Sequence, residues 1–285
     1  MGYLFCIGFV MKQGKALRHN VGIAKWYNDE IQSLCREMFD DTQKELMPLY
    51  AKYDDVAMDS LSFDFTTTLN KLIKKFVAYF KQKGEALAKE FIKRQIKYAD
   101  LSVKKALEPL ATKELKFALK GSVITESNKD IVKLAIYNNV SLIRSLPERY
   151  FKDIVGAITR SIEFGGSIQQ LKRDLLKIKG VTERQAKLIA FDQTRKVYSD
   201  ISLNKMKDAG FTRVKWMHSG GDKVPRCYHV HKWDGVSEPP NGLNGYVFNI
   251  DNPPVIQKAE GKREEVVGFP AQLINCTCFL VPVID

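Results

Sequence analysis

The chain has 285 residues, 45 Lys plus Arg against 33 Asp plus Glu, and a formal net charge of +12. This length can bury a real core in one large or two ordinary domains, which excludes a disulfide-held mini-scaffold. No apolar run approaches the ~20 residues of a membrane-spanning helix, so a soluble chain without a membrane partner is expected, with polyanions such as nucleic acid as natural partners.

The opening "MGYLFCIGFVM" is apolar but too short to span a bilayer, and it lacks a basic leader and a small-residue cleavage site. An ordered strand or helix at most is expected there, and Met11 is a rival start of translation. From about Gly22 to Lys52, the residues Ile23, Trp26, Tyr27, Ile31, Leu34, Met38, Leu46 and Leu49 recur mostly every three or four positions, which predicts one helix. A second stripe, Leu69, Leu72, Ile73, Phe76, Phe80, Leu87, Phe91 and Ile96, predicts two helices or one broken near Gly84.

The centre carries three capping-box patterns: Ser145 with Glu148, Ser167 with Gln170, and Thr182 with Gln185. Pro147 fits a first helical turn, where its missing N–H costs nothing, and Gly165–Gly166, Gly180 and Gly210 mark helix ends. Successive helices over roughly 127–144, 146–164, 168–178 and 183–208 follow from these signals. After Gly210 alternation replaces helical spacing, and "TRVKWMHS", "GYVFNI" and "LINCTCFLVPV" read as short strands. The fold class is therefore α+β: a predominantly helical region, 1–180, followed by a small loop-rich module with short strands, 181–285.

Five cysteines, an odd number scattered as Cys6, Cys35, Cys227, Cys276 and Cys278, form no regular disulfide framework, which favours a reducing assembly compartment over secretion. In "GDKVPRCYHVHKWDG", Cys227, His229 and His231 would share one face of an extended segment, as would Cys276 and Cys278 near the C-terminus. Thiolates and imidazoles so placed could hold a structural zinc ion. Against this, same-face neighbours in an ideal strand stand ~7 Å apart, so a C-x-C pair needs a bend to share a metal and a distortion to form a disulfide. Two buried free thiols are the plainer alternative.

A nucleophilic Cys276 with His229 and Asp234 can be drawn, but no oxyanion hole or phosphate-cradling glycine loop accompanies it, so no enzyme is expected. Asp192 and Gln193, beside an apolar stripe in "LIAFDQTRK", are a structural tie or a polar patch before they are catalytic. The basic segments "KLIKKFVAYFKQK" and "KEFIKRQIK" read as solvated cationic faces or as sequence-independent contacts to double-stranded DNA.

In order, "GIAKWYNDEIQSL", "NNVSLIRSLPERYF", "GVTERQAKLIAFDQTRK", "VKWMHSGGDKVPR", "HVHKWDG" and "LINCTCFLVPV" resemble the Mu-F-like head morphogenesis family of tailed phages, the minor head proteins. The resemblance runs from about residue 20 to the C-terminus and is densest from 180 onward. It implies a minor component of the virion head, assembled in the host cytoplasm. Its implied partners are the portal protein and capsid or scaffold proteins, and its work is head assembly and the handling or ejection of packaged DNA, without catalysis. The family-like positions are Asp192, Gln193 and Thr194, then Trp216, His218, Ser219, Pro225, Arg226, His229, Asp234 and Gly235, and finally Asn275, Cys276 and Cys278. Thr277 stands where the family usually has Arg, and "HVHKWDG" is one residue longer than the usual spacing.

Overall fold

The computed structural model describes residues 11–52, 58–110, 126–163, 168–220, 242–257 and 264–284. Four long helices dominate: α1 (Val21–Lys52), α2 (Met58–Leu107), α3 (Glu126–Glu163) and α4 (Ile168–Asp208). Six short strands accompany them: β1 (Lys12–Gln13), β2 (Arg213–Met217), β3 (Val247–Asn249), β4 (Val255–Gln257), β5 (Val266–Val267) and β6 (Phe279–Ile284). The fold is α+β, as its patterning predicts.

Fewer, longer helices form than the local stop signals predict. Pro147 lies inside α3, and Ser145 turns its hydroxyl back to the Leu142 carbonyl at 2.8 Å instead of capping a new helix. An interior proline costs ~3 kcal/mol. Ile143, Leu146, Tyr150, Phe151 and Ile154 are buried on both sides of it, each contributing ~1.5–3 kcal/mol, so packing outweighs the break. Likewise α4 runs through Gly180, and Thr182 donates to the Ile178 carbonyl at 3.0 Å. Ser167 and Gly165–Gly166 lie outside the described residues, as does the segment before Met11. Gly84 does not break α2; a Cβ there would stand 2.8 Å from Ile143 Cγ2, so the glycine admits the close approach of α2 and α3. Gly210 does end α4: at φ +78° its amide bonds the Lys207 carbonyl while Phe211 N bonds Met206 O.

The chain divides into two compact units. The helical unit comprises Val21–Lys93 and Lys133–Gln193. Its core is aromatic: Phe65, Phe76, Phe80, Phe91 and Phe151 are fully buried, and Tyr27 stacks on Phe91 with ring centroids 4.0 Å apart. A buried polar chain crosses this core. Tyr27 donates to Asn139 Oδ1 at 2.9 Å, and Asn139 donates to Ala135 O at 2.7 Å and Gln193 Oε1 at 3.4 Å.

The mixed unit takes its described residues from Met1–Asn20, Arg94–Val132 and Thr194–Asp285. Its antiparallel sheet has the order β1-β6-β2-β3, with Trp216 opposite Leu280 and Lys12 opposite Ile284. β4 pairs with β5 in a second, two-stranded sheet. Val214, Trp216, Leu280 and Val283 are buried in the first sheet, and Ala99, Val103 and Leu107 of α2 are buried in the same unit. Gly14 locks the N-terminal strand in place: its amide donates to Pro282 O at 2.9 Å, and a Cβ would stand 2.2 Å from the Ala106 carbonyl oxygen.

Candidate functional site

The family-like residues divide between the two units. On α4, Asp192 is buried and Gln193 half-buried in the helical unit, where Gln193 accepts from Asn139. Thr194, fully buried, is the first α4 residue of the mixed unit. Pro225, Arg226, Cys227, His229, His231, Asp234 and Gly235 lie outside the described residues, so the contribution of "HVHKWDG" to any site does too.

The remaining positions gather around β2 and the turn that enters β6. Trp216 is fully buried at the centre of the sheet; its amide donates to Tyr246 O and its carbonyl accepts from Gly245 N, both at 2.8 Å. One residue past β2, His218 donates its backbone N–H to Asn244 Oδ1 at 2.9 Å, and its Nδ1 accepts from Gly220 N at 3.1 Å. The neutral imidazole therefore carries its proton on Nε2. Ser219 and Thr277 join their hydroxyls at 2.7 Å across the two strand ends. Thr277 thus makes a direct side-chain tie.

The turn is bent by two residues in the left-handed region, Ala271 at φ 73° and Asn275 at φ 62°. Asparagine tolerates this conformation better than alanine, which lacks a side chain able to bond locally. Cys276 N bonds Leu273 O at 3.0 Å, and Ala271 N donates to the Cys276 sulfur at 3.4 Å. Ser199 of α4 anchors the same turn by donating to Pro270 O at 3.0 Å.

The cysteines themselves are free thiols, both buried. They precede β6, so ideal-strand spacing does not apply, and the two side chains lie within hydrogen-bonding reach. Contact with Cys276 and then burial push the Cys278 thiol far above the ordinary thiol range, against an opposing influence from the Trp216 side chain. A zinc ion would need both as thiolates. The pair fits half of a tetrahedral sulfur-rich site, but among the described residues no group of three or more His, Cys, Asp or Glu could hold a metal.

Sequence reasoning missed the neighbourhood of the pair. Cys278 shares a small cavity with His19, Arg195, Ser199 and Ser202. The last three recur at i, i+4 and i+7 on α4, a polar stripe on one helical face that was open to view. His19 carries no such signal, since it reaches the cavity from a segment 176 positions before Arg195 in the chain (195 − 19). Burial, Arg195 and Arg18 lower its pKa to about 4, so at neutral pH it is uncharged. An activated thiol beside an imidazole requires the opposite pair of shifts, thiol down and histidine up. The cavity as built holds two neutral groups.

No family model matches this chain, and no solved structure matches it. A protein of Haemophilus influenzae described as "Uncharacterized protein" is 22% identical over 265 residues, which cover 91% of this chain and 53% of that protein. The chain therefore spans about half the length of the curated relative it matches, and no helix among its described residues is long and apolar enough to cross a membrane.

Proposed function

We propose that this chain is a non-catalytic minor head protein of the Mu-F-like type, associated with the portal and acting in head assembly and the handling of packaged DNA. The observation that carries the reading is the order of the six family-like segments along the chain. It is supported by how the described motif residues are used. Ser219 and Thr277 bond each other, the Cys276 sulfur accepts from the turn that enters β6, and the His218 backbone bonds Asn244 ahead of β3, as in a structural knot.

Quantitative mass spectrometry of purified particles, with the portal subunit as internal standard, tests the proposal. A few copies per portal ring are expected, in procapsids or mature heads; absence from both overturns it. The net charge of +12 supports a second reading, direct sequence-independent contact with DNA. A mobility shift on duplex DNA that weakens steeply across a salt series is its signature, and absent or salt-insensitive binding removes it.

A structural zinc would be held by Cys276 and Cys278 with two ligands from Cys227, His229 and His231. Elemental analysis and a melt with and without chelator separate the alternatives. Bound zinc and a markedly lower melting temperature on chelation assign the cysteines to a metal, and a metal-free chain with an unchanged melt assigns them to packing.

A further inference from the structure

The helical unit has a groove that the minor-head reading does not use. It lies between α1 and α4, with Phe39 and Met47 of α1 and Tyr150 of α3 as its floor, and Lys172, Leu176 and Lys179 of α4 as one wall. Its volume is ≈ 140 Å³. The floor carries two aromatic rings, flanked by Thr42 and Gln43: Phe39 and Tyr150 are buried with ring centroids 5.2 Å apart, and burial pushes the Tyr150 hydroxyl up to about 12. Leu176, by contrast, is 67% exposed.

The charge on this wall has one sign. Asp174, the acidic residue of the same turn, is held by Gln170 and Lys177. Among the described residues Lys172 and Lys179 make no ion pair, and Lys179 lies over the face of Phe39, 5.4 Å from its ammonium to the ring centroid. The two lysines are seven residues apart, about 10.5 Å along the helix axis and almost on one face. A second helix laid along α4 repeats the same interval, so two carboxylates seven residues apart would meet both lysines. Apolar residues at the third and fourth positions between those carboxylates would then enter the groove beside Leu176.

We propose that this groove receives an acidic amphipathic helix of a partner protein, with carboxylates spaced i, i+7 and apolar residues at i+3 and i+4. The inference does not rest on the minor-head reading, and it can hold whether or not the chain is found in particles.

The probe is a fluorescein-labelled helical peptide of about 20 residues, with Glu at i, i+7 and i+14 and Leu at the intervening third and fourth positions. Polarisation is read against the purified full chain. Saturable binding is expected, with no binding of a scrambled peptide of the same composition. Lys172→Glu with Lys179→Glu should weaken it about tenfold, and exchanging the peptide's Glu for Lys should restore binding to that double variant. Leu176→Asp should abolish it. These side chains are at the surface, and the circular dichroism of each variant checks the fold. The Glu→Gln peptide on the unaltered chain should show a comparable loss without any change to the protein. No binding, equal binding of the scrambled peptide, or indifference to the charge exchanges overturns the proposal. So does a dimer in sedimentation velocity that Leu176→Asp dissociates, since the occupant would then be a second copy of this chain.

Discussion

The helical unit and the mixed unit reach stable cores by different means. In the former, large aromatic side chains on long helical stripes interlock, and backbone bonds are satisfied within each helix. In the latter, segments far apart in sequence meet backbone to backbone, Gly14 against Ala106 and Pro282 and Leu17 N on Leu280 O, and the Ser199 hydroxyl bonds the Pro270 carbonyl. The first arrangement tolerates small adjustments of side chains. The second depends on a few positions where the main chain itself is the neighbour.

Removing a central side chain sets the scale of this contrast. Trp216→Ala in the sheet and Phe91→Ala in the helical core should each cost ~3–5 kcal/mol by urea denaturation, because both side chains are fully buried. A much smaller loss at Trp216 would mean that the sheet is not the core of its unit.

Two glycines test the difference more finely. Gly14→Ala drives a Cβ into a carbonyl oxygen and should cost ~1–3 kcal/mol with no side-chain change able to rescue it. Gly84→Ala meets Ile143, a side chain that can be trimmed, and alanine gains ~1 kcal/mol of helix propensity. Ile143→Ala, which removes the Cγ2 in the way, combined with Gly84→Ala should therefore be less destabilising than the sum of the two single changes. Equal rescue at both glycines would break the comparison.

The polar network of the helical unit comes next. Asn139→Ala should cost ~1–3 kcal/mol, since it strands the buried Tyr27 hydroxyl. Adding Tyr27→Phe should restore part of that loss, measured as a double-mutant cycle.

Titration in the mixed unit is read as a slope of stability against pH. His19 has a folded pKa of about 4 against an ordinary value of 6.5, so between these limits the unfolded chain binds the extra proton. Its contribution is fully present above about pH 6.5 and is lost as pH falls towards 4. Asp200 has the opposite sign: burial raises its pKa from 3.8 to about 6, so its share is full below 3.8 and lost as pH rises through 6. His19→Gln should flatten the acid limb of the stability profile, and the His19 ring protons should titrate near pH 4 by NMR. A midpoint near 6.5 would place the imidazole in solvent.

Much of this molecule was legible in its residues. The stripes of α1 and α2, the stop at Gly210 and the change to strands beyond it follow from periodicity and from the backbone freedom of glycine, which are local properties. Local stop signals misled at Pro147, Gly180 and Gly84 because each costs only ~1–3 kcal/mol, less than the buried side chains on either side contribute. The candidate site was half legible: the C-x-C pair and Trp216 could be singled out, but an ideal strand would hold the cysteines apart, whereas the pair lies before β6 in backbone that is not a strand and its side chains meet. That His19 should share a cavity with Cys278, or Gly14 press on Ala106, no pattern could reveal. Such meetings are decided by which distant segments pack against each other, and that is a property of the whole tertiary fold.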